Sequence, residues 1–217
     1  MNLWISSQLL VVGLFLSTSA LTPEECQPLV TPLSLADPSI MYGRTNFIVG
    51  YTDNEVFKGI LKLTESCWLN ITPSSNVTEA FMSQENKING TCWSSTFNIT
   101  IDGNTASASL ANFSSVIHVL PSCDGCLLMS LNSTARNLDK LLHKMNFNSN
   151  ITGDKIHAQA LYLMIFFPAR ELALKDSDME HFKQQASCLG FSGEPDYLYD
   201  PKNEFCAEGE GIKMTFD

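Results

Sequence analysis

Arginine is scarce in this chain: Arg44, Arg136 and Arg170 are the whole supply, and the lysines are scattered along its 217 residues. Without a basic stripe there is no electrostatic footprint for a nucleic-acid backbone, so no nucleic-acid partner is expected. Long hydrophobic runs are missing too. The apolar stretch from Leu9 to Leu16 falls well short of the ~20 residues that a membrane span needs, and no later segment qualifies. The four histidines, His118, His143, His157 and His181, show neither metal-ligand spacing nor triad partners. They read as surface or core residues, and no metal or cofactor is expected. No repeat, low-complexity tract or linker divides the chain.

What is abundant is acid, cysteine and glycosylation signal. The net charge of -10 lies wholly beyond residue 20, because residues 1–20 carry no charged side chain. Such a body favours solubility and weakly attracts small cations. Residues 1–20, MNLWISSQLLVVGLFLSTSA, resemble a secretory signal peptide without its basic start, with Thr18 and Ala20 placed for cleavage. The expected boundaries are therefore 1–20 for the signal and 21–217 for one secreted, extracellular domain. Asn-x-Ser/Thr acceptors occur at Asn70, Asn76, Asn89, Asn98, Asn112, Asn132 and Asn150, which fits a secreted glycoprotein. The 7 cysteines are read as disulfides with one thiol left over. Cys123-Asp124-Gly125-Cys126 sits at an Asp-Gly turn without a βαβ context, so a local disulfide is preferred to redox chemistry; pairing of either thiol with Cys67 stays open.

Between Asn46 and Phe167 the chain repeats alternating or apolar β-type runs broken by Gly, Asn, Pro and Ser. Strands are read at 46–52, 57–71, 78–84, 91–101, 105–111, 115–120, 126–132 and 156–167. Two helices stand out. Over 135–145 the residues Leu138, Leu141, Leu142 and Met145 share one face. Ser177 and Glu180 read as a capping box opening a second helix, with Met179, Phe182, Ala186 and Leu189 on its apolar stripe and Gly190 as its stop. That helix should pack on the sheet.

A glycan cannot point into an interior, so a glycosylated asparagine fixes the outer face of its strand and alternation fixes the inner one. Asn70 places Lys58, Lys62, Thr64, Ser66 and Trp68 outside, with Phe57, Gly59, Leu61, Leu63, Glu65, Cys67, Leu69 and Ile71 inside. Asn98 puts Cys92, Ser94 and Thr96 outside, and Trp93, Ser95, Phe97, Ile99 and Ile101 inside. Asn132 turns Leu127, Met129 and Leu131 inward. A bulge would invert the phase beyond it. Eight such strands could close as a filled sandwich or as a barrel holding a small ligand; periodicity alone does not choose.

The carboxyl-terminal third, ALYLMIFFPARELALKDSDMEHFKQQASCLGFSGEPDYLYDPKNEFC, resembles the end of orosomucoid-type (acid glycoprotein) lipocalins, and Cys26, MYGRTNFIVGYTD and the TP of NITPSS agree with their front. The match spans about residues 24–206. It is similar also to apolipoprotein M-like and saxitoxin- and tetrodotoxin-binding lipocalins. The resemblance implies an all-β fold, an eight-stranded antiparallel up-and-down barrel with a carboxyl-terminal helix on its outer wall. It also implies Cys26–Cys188 and Cys92–Cys206 bonds; Cys92, pointing outward, is reachable by a returning tail. Three departures are visible. Thr45 stands where the family has a tryptophan at the barrel floor, so the plug must come from elsewhere. Thr105–Ala111 lacks the family's cavity arginine. Asn132–Asp154 is longer than usual between the last two strands, which places the 135–145 helix as a lid.

The expected function is a monomeric, non-enzymatic carrier of small lipophilic or amphiphilic ligands, basic ones included, with acute-phase or immune-modulating roles implied by the family. Polar anchors are sought in Glu65, Ser95, Tyr51 and Tyr162, with Phe47, Val49, Leu61, Leu63, Trp93, Phe97, Ile99, Met164 and Phe166 as wall. Glu65 would pair with a cationic ligand, unless it lies at the wet mouth or a bulge turns it out. Cys67, facing inward, raises the alternative of a lipocalin-type isomerase. A catalytic thiol needs a lowered pKa, and Glu65 two residues away works against that, so an inert buried cysteine is preferred.

Overall fold

The computed structural model describes residues 21–145, 155–168 and 172–214. The expected signal peptide and Asn150 lie outside these residues. Helix α1 (Pro23–Val30) opens with a capping box: Thr22 accepts from the Glu25 N–H, and the Glu25 carboxylate accepts from the Thr22 N–H. A 3₁₀ turn at Pro38–Met41 leads into β1 (Gly43–Thr52). There follow α2 (Glu55–Leu63), β2 (Thr64–Pro73), β3 (Glu79–Ile88), β4 (Thr91–Asp102), β5 (Thr105–Leu110), β6 (Phe113–Leu120) and β7 (Cys126–Arg136). The chain continues through α3 (Leu138–Lys144), β8 (Lys155–Phe166), α4 (Asp176–Cys188) and two short strands, β9 (Tyr197–Leu198) and β10 (Ile212–Lys213).

Each of β1 to β8 pairs antiparallel with the next, and β8 pairs back onto β1, so eight strands close a barrel. Closure removes the unpaired edges that an open sheet would expose. β9 adds to β1, and β10 runs parallel to β4.

Three apolar clusters organise the molecule. The first fills the lower interior; its floor includes Leu35, Met41, Ile71 and Ile99, so the plug absent at Thr45 is assembled from the lead-in and several strands. The lead-in is held there by Leu33 N–H to Val119 C=O (2.8 Å) and Leu35 N–H to Gly103 C=O (3.1 Å). The second cluster seats Phe182 and Ala186 of α4 against the outer faces of β1, β7 and β8, through Val49, Leu128, Leu161 and Leu163. The third closes the opposite end, where α2 and α3 meet Ile88, Trp93 and Ile156.

The structure departs from the sequence expectations at five points. The strand read over 57–71 begins only at Thr64; residues 55–63 are helical. Asn54 caps this helix, its side-chain oxygen accepting from the N–H groups of Val56 (3.0 Å) and Phe57 (3.4 Å). Apolar residues at 57, 60 and 61 then fall on one face, a helical spacing that a strand reading overlooks. Next, a register shift between Phe47 and Val49 inverts the alternation of β1. Val49 and Tyr51 therefore face out, towards α4. A further shift between Thr64 and Ser66 turns out Glu65. Finally, α4 starts at Asp176 with Lys175 as its cap residue and no side-chain cap, so Ser177 lies inside the helix and is not its cap. The lid helix is shorter than read: residues 135 and 136 belong to β7.

Candidate functional site

Between floor and mouth the barrel encloses a cavity of about 230 Å³. Period-two alternation supplies its walls. Cys67 and Leu69 project from β2, Met82, Gln84 and Asn86 from β3, and Ser95 and Phe97 from β4. Ala108, Ser115, Ile117, Met129, Leu131 and Ser133 come from β5 to β7. Small residues Ala158 and Ala160 on β8 leave room beside Tyr162 and Met164. The roof is helical: Phe57, Ile60 and Leu61 descend from α2, Leu138 and Leu142 from α3, with Met145 and Met214 beside them. Five methionines among the lining residues give it an adaptable surface.

Of the residues named from sequence, Phe47, Leu61, Ser95, Phe97, Tyr162 and Met164 line this cavity. Leu61 does so from a helix. Trp93 points inward but packs at the mouth against Ile88 and the α3 residues. Ile99 and Phe166 join the core without lining the cavity. Val49 and Tyr51 sit on the outer wall; Tyr51 stacks near Phe182 and Phe191 and donates to the Gly193 carbonyl at 3.1 Å. Leu63, at the end of α2, is 36% exposed. Sequence reasoning missed the α2 and α3 roof as a unit, for which the helical spacing 57, 60, 61 and the Asn54 cap were the available signal. It also missed Gln84 and Asn86, polar residues for which periodicity offered no signal.

Glu65 does not serve the cavity. Its carboxylate accepts from the Gly90 N–H at 2.6 Å and lies 3.7 Å from the Lys87 ammonium. Among the described residues the lining contains no Asp, Glu, Lys, Arg or His. Its polar groups are neutral and partly paired with one another. Gln84 donates to Asn86 Oδ1 at 2.7 Å and to the Cys67 sulfur at 3.6 Å, and the hydroxyls of Ser115 and Ser133 bond at 2.9 Å. Burial pushes the Cys67 thiol up to about 12, with the Gln84 bond opposing only in part. A thiol held protonated is a poor nucleophile. Burial likewise raises the Tyr162 phenol.

Three disulfides are present: Cys26–Cys188, Cys92–Cys206 and Cys123–Cys126, leaving Cys67 as the buried free cysteine. The sequon residues Asn76, Asn89, Asn98, Asn112 and Asn132 are exposed and Asn70 is half-buried; none lines the cavity.

No protein-family model matches this chain, and no curated protein matches it either. Solved structures do. A siderocalin with a dual ligand binding mode superposes with a TM-score of 0.52 at 14% identity, over 80% of this chain and 96% of that one. The siderocalin Ex-FABP, which functions through dual ligand specificities, gives 0.50 at 13% identity, over 73% and 93%. The fold is the lipocalin barrel. A bovine lipocalin allergen is also similar, with a TM-score of 0.48 at 16% identity over 71% and 88%. In this lipocalin barrel the interior is hollow, the floor is plugged and two helices cover the mouth. Among the described residues no helix is long and apolar enough to cross a membrane.

Proposed function

We propose that this chain is a secreted, glycosylated carrier of small lipophilic molecules, of the orosomucoid type, and that the cavity is its binding site. The observation that carries this is a mostly apolar cavity of about 230 Å³, roofed by side chains of α2 and α3, in a barrel whose remaining interior is packed. Filling a core would stabilise the fold more than leaving it hollow, because an apolar void forgoes packing contacts. Burying ~200 Å² of ligand surface would contribute ~5 kcal/mol before association costs. The volume lies a little below the roughly 300 Å³ at which common ligand pockets begin, which favours a small cargo.

The two long-range disulfides support the orosomucoid-type subtype, since they join the cysteines that the family resemblance pairs. Exposed sequon residues around the barrel support a carbohydrate coat on its outer side. An isomerase role for Cys67 has no comparable support, given a thiol whose burial holds it protonated. Native mass spectrometry of secreted material tests the reading directly. A copurifying or added apolar molecule bound one to one, together with glycan mass on a chain starting near residue 21, is the expected result. A chain that binds nothing from a panel of alcohols, steroids and lipids sinks the carrier reading.

A further inference from the structure

The geometry points to a cavity that selects uncharged ligands, an apolar body bearing one hydroxyl or carbonyl held by the side chain of Asn86, and that rejects carboxylates and ammonium groups alike. This rests on the carrier reading and narrows it.

Among the described residues no lining side chain can supply a counter-charge, and the carboxylates of Glu65 on β2 and Glu85 on β3 are turned out, held by Gly90 with Lys87 and by Gly209 with Gly211. An ion entering such a space would lose its hydration with nothing to replace it. The acidic surface would draw a cation to the protein, but the interior offers it no partner. Net charge and site preference therefore point in opposite directions.

The hydrogen-bonding groups of the lining are unevenly used. Both hydrogens of the Gln84 amide are engaged, on Asn86 Oδ1 and on the Cys67 sulfur. That leaves the Asn86 side-chain NH2 and the Gln84 carbonyl oxygen facing the cavity without a protein partner among the described residues. Were both amides assigned the other way round, one donor and one acceptor would still remain. Gln84 sits directly opposite Ser95, and Asn86 opposite Cys67 and Trp93, so the free groups form one patch on the β2–β3–β4 wall. On the other side Ser115 and Ser133 bond to each other, which engages one of their two O–H donors. A neutral hydroxyl or carbonyl can use this patch as donor or acceptor. Asn86 is 8% exposed, so bulk water does not compete freely for it.

The test uses naphthalene and its derivatives carrying a hydroxymethyl, a carboxylate or an aminomethyl group, titrated calorimetrically into the full secreted protein at pH 7. The alcohol is expected to bind about tenfold tighter than naphthalene, as one hydrogen bond to a neutral group allows, and at least tenfold tighter than either ion. Asn86→Leu should shrink the alcohol's advantage over naphthalene, read as the ratio of the two affinities within each protein. An ion binding as well as the alcohol overturns the inference and leaves the carrier reading standing. Equal weakening of alcohol and hydrocarbon by Asn86→Leu also overturns it, because Asn86 would then act by packing alone. The charge comparison needs no variant, so it stands even if Asn86→Leu does not fold. If none of the four compounds binds, the carrier reading falls along with it.

Discussion

Trp68 donates its indole N–H to the backbone carbonyl of Cys206 at 2.8 Å. The tryptophan faces out of the barrel as alternation demands, yet it is only 2% exposed, because the carboxyl-terminal tail lies across it. On the same strand the Ser66 hydroxyl donates to the Glu204 carbonyl at 2.9 Å, and the Arg44 guanidinium sits 4.2 Å from the Trp68 ring. Glu85, buried on β3, accepts from the N–H groups of Gly209 and Gly211, both at 3.1 Å. A glycine is needed at 211, where any Cβ would strike the Glu85 carboxylate. The tail is thus a strap over β2 and β3, fastened to β4 by the Cys92–Cys206 bond.

Trp68→Phe replaces the indole with a smaller ring, leaving the Cys206 carbonyl unpaired and a small void under the strap. A loss of ~1 to 3 kcal/mol is expected in urea unfolding. The double change Cys92→Ser with Cys206→Ser should cost more, up to ~4 to 5 kcal/mol in the chain-entropy account, because the bond spans 114 residues of sequence. A smaller loss for the double change than for Trp68→Phe would show that hydrogen bonds, not the cross-link, secure the tail.

Gly50 faces inward opposite Tyr162, and a Cβ there would come within 2.6 Å of the Phe47 ring and 2.7 Å of the Tyr162 ring. Gly50→Ala must push one ring into the cavity. The expected outcome is a destabilisation of ~1 to 3 kcal/mol, as for other overpacked cores, together with weaker ligand binding. Paired thermal melts and titrations check it; unchanged values for both would show that the rings move aside freely.

Glu65→Gln should leave ligand affinity within about twofold, since the carboxylate lies outside the cavity lining. Its pairing with Lys87 is partly exposed and worth ~1 kcal/mol at most. Titration with an organic amine decides the point. A large drop in amine affinity would return Glu65 to the binding site.

The Cys67 thiol rises from its ordinary value of 9.0 to about 12 on burial. Above pH 9 the unfolded chain releases this proton and the folded chain keeps it, so the folded state binds more protons and stability falls as pH rises towards 12. The slope approaches ~1.4 kcal/mol per pH unit for one fully separated group. Cys67→Ala should flatten the decline measured by denaturation between pH 9 and 11. The buried tyrosines Tyr162 and Tyr197, raised by the same cause, keep some slope in the variant. Identical slopes in both proteins would assign the whole effect to the phenols. At pH 8 the native thiol should resist iodoacetamide and react once urea unfolds the chain.

Several features were legible before any coordinates. On β4, Trp93, Ser95, Phe97 and Ile99 turn inward while Asn98 turns out, because alternation within an unbroken strand is a local property of the pleat. The Phe182 and Ala186 stripe of α4 was readable for the same reason, 3.6-residue periodicity being set by the backbone alone. Residues 55–63 were harder: an apolar run of that length satisfies both periods in part, and the contest was settled by the Asn54 cap and by the roof that Phe57, Ile60 and Leu61 complete.

By itself the sequence determined alternation within unbroken strands, helix faces and the outward placement of the described sequon residues, each a consequence of neighbouring residues. Only the tertiary structure decided where a phase breaks. The shifts at Phe47/Val49 and Thr64/Ser66 arise in pairing with strands remote in sequence, and one extra residue moved Val49, Tyr51 and Glu65 to the other face. The emptiness of the interior was decided there as well. It depends on how eight inward-facing rows and two covering helices share one volume, a sum that no single segment contains.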